Sequence, residues 1–401
     1  MLRLFSNFPP RAQRYSNQKI LSYFARGGHL QVNGWLSPFT LSLIKVIADF
    51  QIRNNIHGNI AEIGVYQGRF FIALCLLMQR HDDAVVIDVF DLQEFNIDQS
   101  GIGDYQKFIC NIDNMLGTGQ NVKIIKKDSL NVTVEEVHSQ FSNNRLVRLF
   151  SVDGCHTVEH TINDLRLAQD TICPGGVIIL DDYENEEWPG VAQGFNEFIN
   201  DSKKVKPFAL FYNKLYLTTK SHCQLYIDSL VTDSSQWVDI SGNKVIRPLI
   251  GPPEKYFASS FKYFIDFSKT DSRSFLEEGW YNTEEWGVWS NGELPAKIVL
   301  RNNENFSTQK VYCIHVIFHA FVADRQTKTN VDIIINNELL QTITFPYGTD
   351  YKIFKYTSPH PLLKRSLSIT FETDNTKSPL ELGLSRDQRI LGVGIHCIFC
   401  D

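Results

Sequence analysis

The stretch from Leu149 to Val191, LFSVDGCHTVEHTINDLRLAQDTICPGGVIILDDYENEEWPGV, constrains this chain more than any other. A short apolar run, Leu149 to Val152, stops abruptly at Asp153. Ile162, Leu165, Leu167, Ala168 and Ile172 then recur at roughly helical spacing. Pro174, Gly175 and Gly176 end that helix, and a second apolar run, Val177 to Leu180, ends at Asp181 and Asp182. Strand, helix and strand, with acids after both strands, read as one unit of an open α/β sheet. Ligands bind such sheets beyond the carboxyl ends of the strands. Asp153, His156, Asp181 and Asp182 are therefore expected to converge.

The preceding residues extend the pattern. Leu41 to Phe50 has helical spacing, with Ser37-Pro38 as its start. In Asn59 to Gly68 (NIAEIGVYQG) a short strand runs into Glu62, Gly64 and Gly68, and an apolar helix follows from Phe70 to Met78. Glycines at such a turn let the backbone approach a ligand closely, although a tight turn without a ligand reads equally well. The spacing is neither the dinucleotide fingerprint nor the phosphate-cradling loop. An acid before the first glycine suits a cationic or zwitterionic ligand rather than phosphate. Ala84 to Val89 is a second strand carrying Asp88, twenty-four residues after Gly64. A carboxylate that binds a ribose diol usually stands there. Val122 to Ile125 leads into Lys127-Asp128-Ser129. Glu62, Asp88, Asp128, Asp153 and Asp181 thus end successive strands, which argues for a nucleotide-like ligand along this rim.

The series EIGVYQG, VVIDVF, KKDS, SVDGCH and PGGVIILDDY resembles the class I S-adenosylmethionine-dependent methyltransferases. D-G-x-H, then P-G-G-x-I-x-x-D-D-Y and W-P-G-V, resembles more narrowly the metal-dependent sugar O-methyltransferases of the macrocin O-methyltransferase and cephalosporin-hydroxylase-like group. The resemblance covers roughly residues 40 to 220. It implies that Gly64, Tyr66 and Gly68 line the adenosylmethionine, with Glu62 near its methionine end and Asp153 also beside it. It further implies that Asp88 holds the ribose hydroxyls and that Asp128, assisted by Ser129, accepts from the adenine amino group. Asp153, Asp181 and Asp182 would bind Mg²⁺ or another divalent cation, and His156 would be the general base. In the group the first paired acid is often Glu; here it is the shorter Asp181.

The residue types agree with that chemistry. Mg²⁺ takes hard oxygen ligands, and a bound cation acidifies a ligated hydroxyl. A neutral histidine with its usual pKa near 6.5 accepts a proton near neutral pH. Other readings stay open. Asp181-Asp182 could cap a helix, His156 could bond only a backbone carbonyl, and His160 is a rival base if 156 to 160 are helical. No thiolate-stabilising motif surrounds Cys155. Glu184, Glu186, Glu187 and Trp188 form an acidic aromatic loop, with Trp188 placed to stack on a sugar or simply solvated. The polar segment Asp91 to Asp104 suits a lid over the cofactor.

After Ile250-Gly251-Pro252-Pro253 the texture changes. Lys297 to Leu300, Val311 to Val322, Val331 to Ile335, Gln341 to Phe345, Ser366 to Phe371 and Ile390 to Phe399 read as strands. Asn302-Asn303, Asn336-Asn337 and Tyr347-Gly348 read as turns between them. The stretch SPLELGLSRDQRILGVGI resembles a β-sandwich appended to bacterial glycan-modifying enzymes, which implies a carbohydrate-binding-like module. Trp286 and Trp289 would stack on sugars there, or pack in a core or dimer interface.

The expected fold is a doubly wound, Rossmann-like α/β methyltransferase domain with a mostly parallel sheet (36–250), followed by an all-β, jelly-roll-like sandwich (251–401). Residues 1–35, with Pro9-Pro10 and Gly27-Gly28, form a lead-in packing on the first domain. A net charge of −6 and a pI near 6.0 favour neither nucleic acid nor an anionic membrane. The longest apolar stretch, Phe70 to Met78, is about half of a membrane span. The eight cysteines are scattered, and Cys397 and Cys400 lack nearby partners for a zinc site. With no secretory signal at the N-terminus, a cytoplasmic protein with reduced thiols is expected, and the resemblance adds a homo-oligomer. The leading function is adenosylmethionine- and Mg²⁺-dependent methylation of a sugar hydroxyl on a glycan or glycosylated metabolite. The alternatives are a catechol-like or polyketide hydroxyl as acceptor, and a non-catalytic glycan-binding adaptor.

Overall fold

Five parallel strands carry the residues singled out above. In chain order the first unit contains helices α1 (Asn17–Ala25) and α2 (Pro38–Arg53), strand β1 (Asn59–Ile63), α3 (Arg69–Leu76), β2 (Ala84–Asp88) and α4 (Tyr105–Leu116). There follow β3 (Val122–Lys126), α5 (Val134–Ser139), β4 (Val147–Val152), α6 (Val158–Thr171), β5 (Ile172–Leu180) and α7 (Pro189–Asp201). The last elements are β6 (Val205–Phe211), β7 (Lys214–Thr219), α8 (Cys223–Leu230), β8 (Gln236–Ile240) and β9 (Asn243–Arg247). This computed structural model describes residues 15–117, 121–301, 311–362 and 366–400. The Pro9-Pro10 pair and the Asn302-Asn303 turn lie outside those residues.

The nine strands run in the order β3-β2-β1-β4-β5-β7-β6-β9-β8. The first five are parallel; β7 enters antiparallel to β5, and β6 antiparallel to β7. The reversal of order between β1 and β4 is a topological switch point. Every residue of β1 and β4 is buried, as expected of parallel strands covered on both faces. On one face Ala61, Ile63, Phe150 and Val152 pack with Leu165 of α6 and Phe195 of α7. The Ser37 hydroxyl caps α2, with Pro38 in its first turn. α1 is tied down where the Tyr23 hydroxyl donates to the Arg69 carbonyl at 2.5 Å. No helix of the described residues is long and apolar enough to cross a membrane.

One local expectation is corrected. Pro174, Gly175 and Gly176 do not separate α6 from a strand that starts at Val177. α6 ends at Thr171, and β5 begins at Ile172 and runs through all three residues. The irregular register between Ile172 and Val177 accommodates them.

Residues Gly251–Asp401 form a second compact unit. It holds β10 (Tyr263–Asp266), β11 (Trp280–Glu284), β12 (Gly287–Asn291), β13 (Ala296–Leu300), β14 (Cys313–Ala320) and β15 (Lys328–Ile335). β16 (Glu338–Pro346), β17 (Lys352–Thr357), β18 (Leu367–Thr373) and β19 (Leu391–Cys400) complete it. One antiparallel sheet runs β11-β12-β19-β14-β17, with β10 also paired to β19; the other runs β13-β18-β15-β16. Both contribute to one core, through Val316, Phe318 and Ile395 on the first and Ile298, Ile333 and Phe371 on the second. Trp286 and Trp289 are half-buried and meet edge to face at 5.2 Å, and each packs on His319. Their rings are engaged in packing. Cys397 and Cys400 are both buried on β19, and their i, i+3 spacing points them to opposite faces.

Candidate active site

The strand register delivers the acids to one level. Backbone N–H groups of Gly64, Asp153 and Asp181 each donate at 2.9 Å to carbonyls at the ends of the neighbouring strands, Ile87, Ile63 and Val152. Beyond this rung the chain leaves the sheet, and a cavity of about 550 Å³ opens over the ends of β1 to β5. Gly64, Tyr66, Asp88, Asp128, Ser129, Asp153, His156, Asp181 and Asp182 all border it. Glu62 and Gly68 do not.

Glu62 lies inside β1, where side chains alternate across the sheet, and is buried. Burial pushes its carboxyl up to about 8, and the Ser151 hydroxyl donates to it at 3.1 Å. Gly68 is the N-cap of α3 at φ +92°, and a Cβ there would press on the Phe108 ring at 3.0 Å. The missing Cβ leaves room for that ring.

One end of the cavity holds a cluster in which ligand atoms of Asp153, His156 and Asp182 lie within 4.8 Å of one another. Asp98 lies 2.7 Å from His156 Nδ1 and accepts from the His156 backbone N–H at 2.8 Å. Asp182 Oδ2 lies 3.1 Å from Nε2. The Trp188 ring stacks on the imidazole at 4.4 Å and 18°. Burial alone would lower the His156 pKa, but its bonds to Asp182 and Asp98 outweigh this and hold it at about 9. The ordinary pKa expected from sequence is thus corrected: in this arrangement the two carboxylates favour the protonated ring. Asp182 takes a left-handed φ of 55°, and its Oδ1 accepts from Asn185 at 2.9 Å and Asn213 at 2.8 Å. Burial and the neighbouring Asp181 carboxylate raise Asp153 well above the usual carboxylate range.

Asp181 stands apart from the expected metal trio. Its Oδ2 is in contact with the buried Lys214 ammonium, and its Oδ1 accepts from the Asp182 backbone N–H at 2.8 Å. Burial disfavours the Lys214 charge, yet Asp181 and Asp153 overcome this and keep its pKa above the usual lysine value. Cys155 borders the cavity with its thiol pushed up to about 11, chiefly by burial, so it offers no nucleophile. Trp188 faces His156, and Glu184 pairs with Arg247.

Asp88, Asp128 and Ser129 border the rest of the cavity. Asp88 Oδ2 accepts from the N–H of Val65 at 2.7 Å and of Tyr66 at 3.2 Å, while Oδ1 accepts from Phe90 at 2.5 Å. The carboxylate thus fixes the turn after β1 and still borders the cavity. Tyr66 packs on Trp35 at 5.1 Å. Asp128 Oδ1 accepts from Leu130 N–H at 3.0 Å and lies 3.2 Å from His160 Nε2. Ser129 is buried, and its carbonyl accepts from Asn163 at 3.0 Å. Phe95, Asn96, Asp98 and Gly101 place the 91–104 segment along the cavity wall.

Sequence reasoning missed Asp98 and Lys214. Asp98 is 58 positions from His156, and no spacing rule connects them. Lys214 carried one signal, a lone cation opening the apolar run LYL.

Residues 61–183, from β1 to just past β5, match the family model of a methyltransferase domain. The chain is 29% identical over 150 residues to an uncharacterized protein, R132, of Acanthamoeba polyphaga mimivirus, covering 36% of this chain and 61% of that protein. It therefore spans about three fifths of the curated relative's length. Among solved structures, the O-methyltransferase NovP is 16% identical, with 46% of this chain and 81% of that one covered at a TM-score of 0.37. The calicheamicin methyltransferase CalS11 is 17% identical, with 45% and 78% covered at 0.34. An O-methyltransferase from Bacillus cereus, solved with SAH, is 16% identical, with 51% and 92% covered at 0.35.

Proposed function

We propose that this chain is an S-adenosylmethionine-dependent O-methyltransferase, assisted by a divalent cation such as Mg²⁺, that acts on a sugar hydroxyl. The observation that carries this reading is the convergence of Asp153, His156 and Asp182 in the cavity that Gly64, Asp88 and Asp128 also border. One end offers acids and a proton carrier. The other offers carboxylates suited to a ribose diol and an amino group.

The donor set fits a hard cation. Asp153 and Asp182 supply oxygens; burial and then the neighbouring acids raise Asp153, and a bound cation would relieve the repulsion among those acids. Asp181, paired with Lys214, is better placed to hold that lysine than to ligate. Mg²⁺ in this place would acidify a hydroxyl that ligates it. His156 Nε2 is the atom placed to take the hydroxyl proton once Asp182 turns to a cation. Asp98 orients the ring from its Nδ1 side, and Trp188 keeps water from its face. Asp88 and Asp128 would hold the nucleoside, so that both reactants are fixed before reaction. The sugar acceptor rests on the resemblance to sugar O-methyltransferases and on the resemblance of residues 378–395 to modules of glycan-modifying enzymes.

The test is calorimetric titration of adenosylmethionine and S-adenosylhomocysteine, with Mg²⁺ or with EDTA, into the wild type and Asp153→Ala. Cofactor binding in both proteins, with Mg²⁺ uptake in the wild type alone, is the expected result. Transfer of a labelled methyl group to simple glycosides and to a catechol then separates the acceptor classes. Absence of cofactor binding under every condition overturns the reading.

A further inference from the structure

We infer that His160 is a positioning residue that fixes Asp128 as a one-sided acceptor, making the site selective for a purine bearing a 6-amino group. This rests on the reading that the cavity takes adenosylmethionine, and it assigns the residue that enforces the choice of base.

His160 is 4% exposed and lies in the first turn of α6. Thr157, the N-cap of that helix, accepts from the His160 backbone N–H at 3.2 Å, and its hydroxyl lies 2.7 Å from Nδ1. The hydroxyl has one proton to give, and Nδ1 is the ring atom beside it. Nε2 faces the Asp128 carboxylate at 3.2 Å. In a neutral ring both contacts are satisfied together only when Nδ1 accepts from Thr157 and Nε2–H donates to Asp128. The network therefore selects one tautomer.

That donor goes to Oδ1, the same oxygen that accepts from Leu130 N–H. Among the described residues no hydrogen bond reaches Oδ2, although Asp128 borders the cavity. With Oδ1 held from two directions, Oδ2 is presented as a fixed acceptor. An amino group on the ligand satisfies it. An oxo group in the same place sets lone pairs against lone pairs, and the carboxylate cannot turn away without breaking two bonds. The two histidines of HTVEH thus serve opposite ends of the cavity: His156 answers to Asp98 and Asp182, and His160 answers to Asp128.

The experiment measures binding of S-adenosylhomocysteine and of its 6-oxo analogue, S-inosylhomocysteine, to the wild type, His160→Leu and His160→Gln. The wild type should prefer the adenosine form by roughly 100-fold or more. His160→Leu should cut that preference about tenfold by weakening the adenosine ligand alone. His160→Gln, whose amide N–H can still reach Asp128, should restore most of it. Equal weakening of both ligands, or an unchanged preference, would show a merely structural histidine and overturn the inference. A wild type that binds neither ligand overturns the cofactor reading and this inference with it. Should His160→Leu fail to fold, ¹⁵N NMR of the wild-type histidines decides: the Nε2–H tautomer at His160 supports the assignment, and the Nδ1–H tautomer overturns it.

Discussion

His156 is held by Asp98 on Nδ1, Asp182 on Nε2 and Trp188 on its face. Of the two carboxylates, Asp98 is the one that does not also belong to the candidate cation cluster. Bonding from His156 outweighs burial and keeps the Asp98 carboxyl far below its usual range, so the pair is charge-assisted. Asp98→Asn keeps the shape but weakens both the charge and the hold on the ring. Removal of such an orienting partner costs 10- to 100-fold in comparable sites. Steady-state kinetics of Asp98→Asn should show kcat down by about that factor, with cofactor affinity within twofold. The sign of the pKa change follows from the same contact. Asp98 raises His156, so its loss must move the imidazole titration downward from about 9, which proton NMR of the ring reads directly. A kcat unchanged from wild type would mean that Asp98 only anchors the 91–104 segment.

At the scale of elements, the turn after β1 and the turn after β4 are pressed together. Gly64 sits at φ +76°, and any Cβ there would run into the Asp153 carbonyl. Gly64→Ala should therefore cost at least about 2 kcal/mol, from the left-handed backbone plus the overlap, and should abolish cofactor binding. Urea unfolding with a cofactor titration checks both; a variant of wild-type stability that binds the cofactor normally would show that the two turns move apart easily. The same turns explain what could be read from sequence. β2, β4 and β5 are largely buried runs that stop at an acid, and β1 is one that stops at Gly64, so apolar length and the breaking residue locate both strand and site. Pro174-Gly175-Gly176 misled because turn-forming residues were read as a boundary, whereas an irregular register let β5 absorb them. β8 left no such mark, for four of its five residues are at least partly exposed. Lys214 and Asp98 were illegible for a different reason. Each is defined by a partner tens of positions away, and local periodicity holds no record of that pairing.

At the scale of the molecule, the cavity is lined wholly by residues between Trp35 and Lys214, and the second unit has a separate core between its two sheets. That second unit carries its own buried acid. Glu254 is fully buried, the Tyr351 hydroxyl lies 3.5 Å from each oxygen, and burial pushes its carboxyl from 4.5 up to about 8. The folded unit thus keeps a proton that the unfolded chain releases above pH 4.5. Stability must fall as pH rises from about 4.5 towards 8, with the full penalty reached above 8. A raised pKa of this size corresponds to a penalty on the order of a few kcal/mol. Glu254→Gln keeps a neutral side chain of the same shape and removes the titration. Calorimetric melting of the wild type and Glu254→Gln should therefore nearly coincide at pH 5, while at pH 9 the variant should melt several degrees higher. If the gap between the two proteins is the same at both pH values, Glu254 is ionised in the folded state, and a cation must reach it in place of the proton.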